Sequence, residues 1–208
     1  MAALPFHFIG SGILHFNAFG MRDKLERCVK TIDSQMTEVP PNFFQYLVAA
    51  EDHRSEHHCG IDPIGIFRAA YVRLTKGHIQ GASTIEQQFV RVVTGDYSRS
   101  MARKFKEQIL AIALAKRRRK IDIGSAYLAI AYYGYNCEGA RGIQQIIGGK
   151  NLSVASENQI ASVVARLKYP KPLLDSSEWD CKHFSRVNYI FYRLDKHQIR
   201  NSVKTLGH

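Results

Sequence analysis

The chain has 208 residues, of which 45% are hydrophobic and 23% are charged, values that are ordinary for a globular protein with a core of its own. Its net charge of +11 favours an anionic partner such as nucleic acid, an anionic membrane surface or a phosphate-bearing substrate, although a basic surface can also serve solubility alone. The four widely spaced cysteines include no Cys-x-x-Cys pair, which argues against a zinc ribbon and a thioredoxin-type site.

The N-terminal segment, MAALPFHFIGSGILHFNAFG, is apolar but is interrupted by Pro5, Gly10 and Gly12. It lacks the basic region and the small-residue cleavage site of a signal peptide. No stretch of the chain approaches about 18 uninterrupted apolar residues, so we predict no spanning helix. We expect residues 1–37 to form an apolar or amphipathic arm, either packed on the domain that follows or lying at a membrane interface.

The remaining chain, residues 38–208, is predicted to be one domain that begins at the Pro40-Pro41 boundary. Helical periodicity and capping residues predict seven helices, at 41–53, 62–76, 83–93, 100–118, 121–134, 155–167 and 182–198. A capping box of Ser83 and Glu86 is expected to start the third helix. Strand patterns are scarce, so the predicted fold class is mainly α.

Side-chain patterns within these helices predict which faces are covered. In the fourth helix, Met101, Phe105, Ile109 and Ile112 form one apolar stripe, while Glu107 shares the opposite side with Leu110 and Leu114. This helix is therefore expected to be covered on two sides. The tyrosines of the 121–134 region favour a core position over a sugar platform; they are Tyr127, Tyr132, Tyr133 and Tyr135.

Two glutamates are candidates for catalysis. Glu51 follows the apolar run 43–50, and Glu107 lies in RKFKEQ among lysines and an arginine. Two carboxylates on separate buried helices, one of them surrounded by cations, suit acid/base chemistry at a sugar. The cations should favour the charged form of Glu107, and burial should make Glu51 a better base near neutral pH. Structural alternatives are a buried salt bridge for either acid and a helix end turning into solvent at Glu51.

Five segments extend this pattern in a fixed order. They are EDHRSEHHCGIDPIGI (51–66), GASTIEQQFVR (81–91), RKFKEQ (103–108), KIDIGSAYLAIAYYG (120–134) and GARGIQ (139–144). In order and spacing they resemble the five motifs of the peptidoglycan glycosyltransferases of family 51, the transglycosylase domains of bifunctional penicillin-binding proteins and of monofunctional transglycosylases. The resemblance covers about residues 38–172, and RVNYIFYRL (186–194) extends it.

The resemblance implies a lysozyme-like, mainly α fold with a larger head and a small membrane-facing jaw. It also implies an inverting enzyme that transfers a polyprenyl-pyrophosphate-linked saccharide to the hydroxyl of a second lipid-linked sugar and so polymerises glycan. Glu51 matches the general base, and Glu107 matches the second essential acid. The residues that match substrate and pyrophosphate positions are Asp52, His58, Arg68, Ser83, Thr84, Gln87, Gln88, Arg91, Arg99, Arg103, Lys104 and Lys106.

The same resemblance sets expectations for partners and place. The substrate would be a lipid II-like molecule at a membrane surface, by resemblance on the outer face of the bacterial cytoplasmic membrane, although without a visible signal or anchor the cytoplasmic face stays open. Other cell-wall enzymes are candidate partners. No cofactor is obligatory, although the acids could meet a magnesium ion at the pyrophosphate.

Four positions depart from the family pattern. Ser55 stands where Phe is usual, Glu86 replaces Thr, and Ser125 and Ala129 replace Glu and Asn. Glu86 is explained by the predicted capping box. The other three leave two alternatives open: a catalytically weakened relative that binds lipid-linked precursor or a cell-wall enzyme, and a divergent transferase for another lipid-linked saccharide.

A histidine-cysteine group and a basic run are interpreted as structural features rather than as binding sites. His53, His57, His58 and Cys59 are too close in sequence to point at one metal, so no metal site is predicted. The basic run KRRRK (116–120) is typical of a solvated helix end. Since no nucleic-acid recognition motif accompanies it, nucleic acid is not the expected partner.

Overall fold

A computed structural model describes residues 20–77, 81–174 and 176–206, with side chains described up to residue 196. The described residues form two compact units, the first within 1–36 and 54–127 and the second within 37–53 and 128–208. Over the described residues they consist mainly of α-helices, with short 3-10 helices and one antiparallel hairpin in the second unit, which confirms the mainly α class. The apolar segment 1–19 lies outside the described residues, and a domain boundary at residue 38 stays a prediction.

The described part of the chain has nine α-helices and two short strands. The helices are α1 (Met21–Gln35), α2 (Asn42–Glu51), α3 (Pro63–Lys76), α4 (Ile85–Thr94), α5 (Met101–Ala115), α6 (Lys120–Ile130), α7 (Gly139–Ile146), α8 (Glu157–Ala165) and α9 (Ser177–Leu206). Strands β1 (Tyr132–Gly134) and β2 (Cys137–Glu138) lie between α6 and α7. All seven predicted helices occur, and α1 and α7 are additional. Among these helices, none combines the length and apolar character needed to cross a bilayer.

The core of the first unit is built by α1, α4 and α5. Helix α1 packs against the other two with one buried face, formed by Met21, Leu25, Cys28 and Ile32 at helical spacing. Helix α4 contributes the fully buried Phe89. Burial raises the pKa of the Cys28 thiol to about 12, so this cysteine is a core residue and no thiolate nucleophile.

Helix α5 confirms one predicted pattern and corrects another. Glu107, Leu110 and Leu114 are buried, as are Ile109 and Ile112, so the helix is covered on two sides as predicted. The predicted stripe fails at its N-terminal end, because Met101 is 85% exposed and Phe105 is 37% exposed. Core packing within the unit begins only at the third turn of this helix, so periodicity alone overstates the buried stripe.

Helix α3 lies between Pro63 at its first turn and Gly77, which ends it in the left-handed conformation. Its apolar positions repeat at helical spacing, yet they are exposed: Ile64, Phe67, Tyr71 and Leu74 are each 59% to 86% accessible. The fully buried residue of this helix is Gly65 near its N-terminal end, which packs against the Asp62 carboxylate.

Helices α2, α8 and α9 build the second unit. Helix α2 packs against both others, and Tyr46 on α2 meets Phe191 on α9 edge to face, with ring centroids 6.3 Å apart. Helix α8 begins with a capping box in which Ser156 accepts from the Gln159 amide. This packing leaves Glu51, the last residue of α2, next to α9.

The predicted helix over 121–134 is wrong beyond Ile130. There the chain forms β1, in which Tyr132 pairs with Glu138 of β2. Gly134, with a φ of 139°, packs so tightly on Lys171 that an added Cβ would lie 2.5 Å from the Lys171 carbonyl oxygen. Strand alternation also splits the tyrosines, because Tyr133 is buried while Tyr132 is exposed.

The tyrosine prediction is therefore confirmed for half of its members. Tyr127 and Tyr133 are buried, whereas Tyr132 and Tyr135 are 50% and 54% exposed. The buried Tyr133 hydroxyl donates to the Leu128 carbonyl at 2.7 Å, which satisfies its only polar group.

Candidate active site

The first unit contains a cluster of three cations around one buried carboxylate. Glu107 on α5 is 3% exposed. It receives two parallel hydrogen bonds from Arg91 of α4, each 3.1 Å long, and a third from the Lys104 ammonium at 2.8 Å. Arg103, one turn before Glu107, donates to the same carboxylate. We refer to these four residues as the Glu107 cluster.

The arrangement follows from helix geometry. Arg103 and Lys104 precede Glu107 by four and three residues, so they share its face of α5. Arg91 lies on α4, which packs directly against α5. Ser100 caps the first turn of α5 by accepting from the Arg103 amide, which fixes where that face begins.

The cluster holds its carboxylate charged. Burial alone would raise the pKa of Glu107, but the hydrogen bonds and charges of Arg91 and Lys104 outweigh it and hold that pKa below its ordinary value. The pKa of Lys104 is also lowered, first by its own burial and further by the charges of Arg91 and Arg103, although its pairing with Glu107 opposes this. Three cations against one carboxylate leave the cluster positive, so a further anion would be favoured there.

The polar start of α4 adjoins this cluster through Ser83, whose hydroxyl accepts from the Lys104 ammonium at 3.0 Å. Ser83 therefore does not cap α4, and the predicted capping box with Glu86 is wrong by one residue. Thr84 is the cap: its hydroxyl accepts from the Gln87 amide while the Gln87 side chain accepts from the Thr84 amide. The Thr84 hydroxyl also donates to the Gly60 carbonyl at 2.7 Å.

Gly60 joins the first motif to α5. It has a φ of 90°, and an added Cβ would lie 2.4 Å from the Ala111 carbonyl oxygen. Only glycine fits this close approach. Contacts with Thr84 and Ala111 thus hold residues 58–60 against α4 and α5.

Glu86 has a different role from the one its position predicts. Its carboxylate is 1% exposed and pairs with the Lys120 ammonium at 2.6 Å, while its second oxygen is buried without a hydrogen-bond partner among the described residues. The Nδ1 atom of the buried His58 lies 3.4 Å from the same ammonium. Lys120 is therefore no solvated helix end, unlike the adjacent Arg119, which pairs with Asp122 at the surface.

The remaining polar residues of α4 are partly engaged. Gln87 is fully buried, and its amide nitrogen has no partner among the described residues. Gln88 accepts a hydrogen bond from the Tyr127 hydroxyl at 2.9 Å. The side-chain nitrogen of Gln87 is therefore a buried hydrogen-bond donor that no described residue satisfies.

Three of the predicted arginine and lysine binding residues lie outside the Glu107 cluster. Arg68 on α3 is half-buried, with its Nε atom buried and without a hydrogen-bond partner in the described chain. Arg99 lies in the exposed loop before α5, and Lys106 is half-buried on α5. The structure brings together Ser83, Arg91, Arg103, Lys104 and Glu107.

The second unit holds the other candidate acid. Glu51 ends α2, and its side chain is 16% exposed. The Arg186 guanidinium of α9 donates to its Oε1 atom at 2.7 Å, and the same nitrogen donates to the Ala50 carbonyl at 2.7 Å. Asp52, the residue after the helix, is buried. Glu51 thus does not simply turn into solvent.

The sequence motifs did not identify Arg186 as the partner of Glu51 or Lys120 as the partner of Glu86. Arg186 is 135 residues from Glu51, and only its place in RVNYIFYRL signalled it. Lys120 opens the fourth motif, but its pairing with Glu86 spans 34 residues and has no local signal. The departing positions Ser55, Ser125 and Ala129 are all buried, so packing decides which side chains fit there.

Comparisons with known proteins identify the family of the chain. The family model described as Transglycosylase matches residues 22–195. Penicillin-binding protein 1A of Escherichia coli (strain K12) is 37% identical over 166 residues, which cover 79% of this chain and 19% of that protein. The monofunctional glycosyltransferase of Staphylococcus epidermidis is 30% identical over 185 residues, which cover 85% of this chain and 68% of that protein.

The chain therefore belongs to the transglycosylase family. Penicillin-binding protein 1A of Aquifex aeolicus is 36% identical over 134 residues, which cover 18% of that protein. The chain thus spans about a fifth of the length of the penicillin-binding proteins that it matches.

Proposed function

We propose that the protein polymerises peptidoglycan glycan by transferring a polyprenyl-pyrophosphate-linked saccharide, of the lipid II type, to the hydroxyl of a second lipid-linked sugar. The observation that carries this proposal is the Glu107 cluster, in which three cations surround one ionised carboxylate and leave positive charge for an anionic group. A pyrophosphate leaving group is such a group, and family membership supports the reaction class.

In the proposed reaction, Glu51 is the general base. Its carboxylate accepts the proton of the acceptor hydroxyl as that oxygen forms a bond to the anomeric carbon of the donor sugar. The bond from this carbon to the pyrophosphate oxygen breaks on the opposite side, and its electron pair leaves with the pyrophosphate. One displacement from the opposite face inverts the anomeric configuration.

The cations of the Glu107 cluster are proposed to receive the pyrophosphate. Arg91 and Arg103 offer planar guanidinium groups that suit two-point contacts with phosphate oxygens, and Lys104 adds a point charge. Glu107 holds these cations in place and limits their mutual repulsion. Residues proposed to line the remaining substrate positions are Asp52, His58, Arg68, Ser83, Thr84, Gln87, Gln88, Arg99 and Lys106.

The proposal also covers the cellular location of the enzyme and its need for a cofactor. A lipid-linked substrate implies that the enzyme acts at a membrane surface. The family resemblance favours the outer face of the bacterial cytoplasmic membrane. Other cell-wall enzymes are proposed partners. We propose no obligatory cofactor. If a magnesium ion acts at the pyrophosphate, chelation will lower the polymerisation rate.

A second candidate is favoured by the buried departures Ser55, Ser125 and Ala129. Substituted packing positions could adapt the enzyme to another lipid-linked saccharide, or leave a weakened relative that binds precursor without turning it over.

The deciding experiment incubates the purified chain with lipid II and, separately, with other polyprenyl-pyrophosphate oligosaccharides, and identifies the products by mass analysis. Glycan polymer from lipid II supports the proposal. Polymer formed only from another saccharide would support a divergent transferase for that saccharide. Tight binding of every lipid without turnover would support the catalytically weakened relative.

A further inference from the structure

The contact between Arg186 and Glu51 joins the last turn of α2 to α9. One guanidinium nitrogen, Nη2, donates to both the Glu51 Oε1 atom and the Ala50 carbonyl, each at 2.7 Å. The Ala50 carbonyl is one of the last four of α2, which have no amide partner within the helix. Arg186 therefore binds the helix end and its terminal side chain at once.

Arg186 is itself held in place. Its side chain is 10% exposed, and its Cζ atom lies 5.0 Å from the centre of the Tyr189 ring. Its Nε atom is buried without a hydrogen-bond partner among the described residues, so the guanidinium is kept there at some cost in solvation. A merely structural bond to the helix end would need only the Ala50 contact.

We propose that Arg186 is a positioning residue that fixes the orientation of the Glu51 carboxylate. The inference rests on the proposed function, in which Glu51 is the general base. A base must hold its oxygen within hydrogen-bond reach of the proton that it abstracts. Glu51 ends its helix, where backbone constraint is weakest, and the Arg186 guanidinium adds a constraint from a second helix.

The experiment measures kcat and KM for lipid II polymerisation by the full chain and by Arg186→Gln and Arg186→Lys. We expect Arg186→Gln to lower kcat by about 100-fold with little change in KM, because a displaced base slows the chemical step. Arg186→Lys should recover part of the rate, since an ammonium keeps the charge but loses the planar fork. Arg193→Gln is the matched control, because its Nε atom is likewise buried without a partner on α9, and it should keep the wild-type kcat.

A double-mutant cycle separates positioning from folding. In a Glu51→Asp background, whose shorter carboxylate no longer reaches the guanidinium, Arg186→Gln should cause little further loss of kcat. An equal loss in both backgrounds, or wild-type kcat in a folded Arg186→Gln variant, overturns the inference. If Arg186→Gln does not fold, Arg186→Lys decides: a lowered kcat at unchanged KM supports positioning, and wild-type kcat contradicts it.

The two proposals fail in different ways. Inactive wild-type protein, or a fully active Glu51→Gln variant, overturns the proposed function and the inference with it. Inactive Glu51→Gln together with unaffected Arg186 variants overturns the inference alone.

Discussion

Arg91 grips Glu107 with two parallel hydrogen bonds, from Nε to Oε2 and from Nη2 to Oε1, each 3.1 Å long. This fork joins α4 to α5 through a carboxylate that is almost fully buried. Because Lys104 and Arg103 bind the same group, one side chain organises three cations. The geometry gives Glu107 a structural role in the first unit, in addition to its proposed place at the pyrophosphate.

Replacing Glu107 by Gln should therefore destabilise the protein. The change leaves three partly buried cations without their counter-ion, and we expect a loss of about 2–3 kcal/mol in the free energy of unfolding at neutral pH. Urea unfolding measures it. The exposed Glu56→Gln serves as the control and should unfold like the wild type.

The same carboxylate predicts a pH dependence. The pKa of Glu107 is lowered in the folded state, so its contribution to stability is present above the unfolded pKa of about 4.3 and is lost as the pH falls through the lower folded pKa. The stability difference between wild type and Glu107→Gln should therefore shrink below about pH 4. A difference that grows on acidification would contradict an ionised Glu107.

Arg91→Lys tests the fork itself. Lysine keeps the charge but cannot make two parallel bonds, so we expect weaker pyrophosphate binding and a KM raised about tenfold, equivalent to roughly 1.4 kcal/mol. Steady-state kinetics with lipid II measures it. The control is Arg119→Lys, because Arg119 forms an ion pair at the surface. An Arg91→Lys variant with the wild-type KM would show that the Arg91 guanidinium does not contact the substrate.

The pair of Glu86 and Lys120 predicts asymmetric substitutions. Lys120→Met leaves a buried carboxylate unpaired and should cost about 3 kcal/mol, whereas Glu86→Thr leaves a lysine that is 28% exposed and can be solvated, and should cost less. The double variant should be more stable than the sum of the two losses implies. Additive losses in urea unfolding would argue against direct coupling.

Gly60→Ala should be among the most damaging small substitutions. Its positive φ and the close Ala111 carbonyl together predict a loss of about 3 kcal/mol or more. Gly95→Ala, also at positive φ but with nothing within 4 Å, should cost about 1 kcal/mol. Equal losses in thermal unfolding would mean that the contact with Ala111 is not tight.

Much of the Glu107 cluster could be predicted from the sequence, because Arg103 and Lys104 lie four and three residues before Glu107 on one helix. Glu51 could be found from the apolar run before it. Its partner Arg186 could not, since their contact depends on how α9 packs against α2 across 135 residues. Local periodicity carries no information about such a pairing.

Two of the sequence predictions are wrong because tertiary contacts override the local pattern. Ser83 with Glu86 and Thr84 with Gln87 both fit a capping box; tertiary contacts decide between them, because Lys104 takes the Ser83 hydroxyl and Gly60 accepts from Thr84. The apolar run past Ile130 fits a helix equally well. There the backbone bonds with Lys171 draw it into an extended segment instead.

The most direct test of the account is the rate of glycan polymerisation by Glu51→Gln with lipid-linked disaccharide pyrophosphate, measured beside wild type and Glu56→Gln. The account predicts polymer from the wild type and from Glu56→Gln, and no polymer from a folded Glu51→Gln, because an amide cannot accept the hydroxyl proton. Full activity of Glu51→Gln would contradict it.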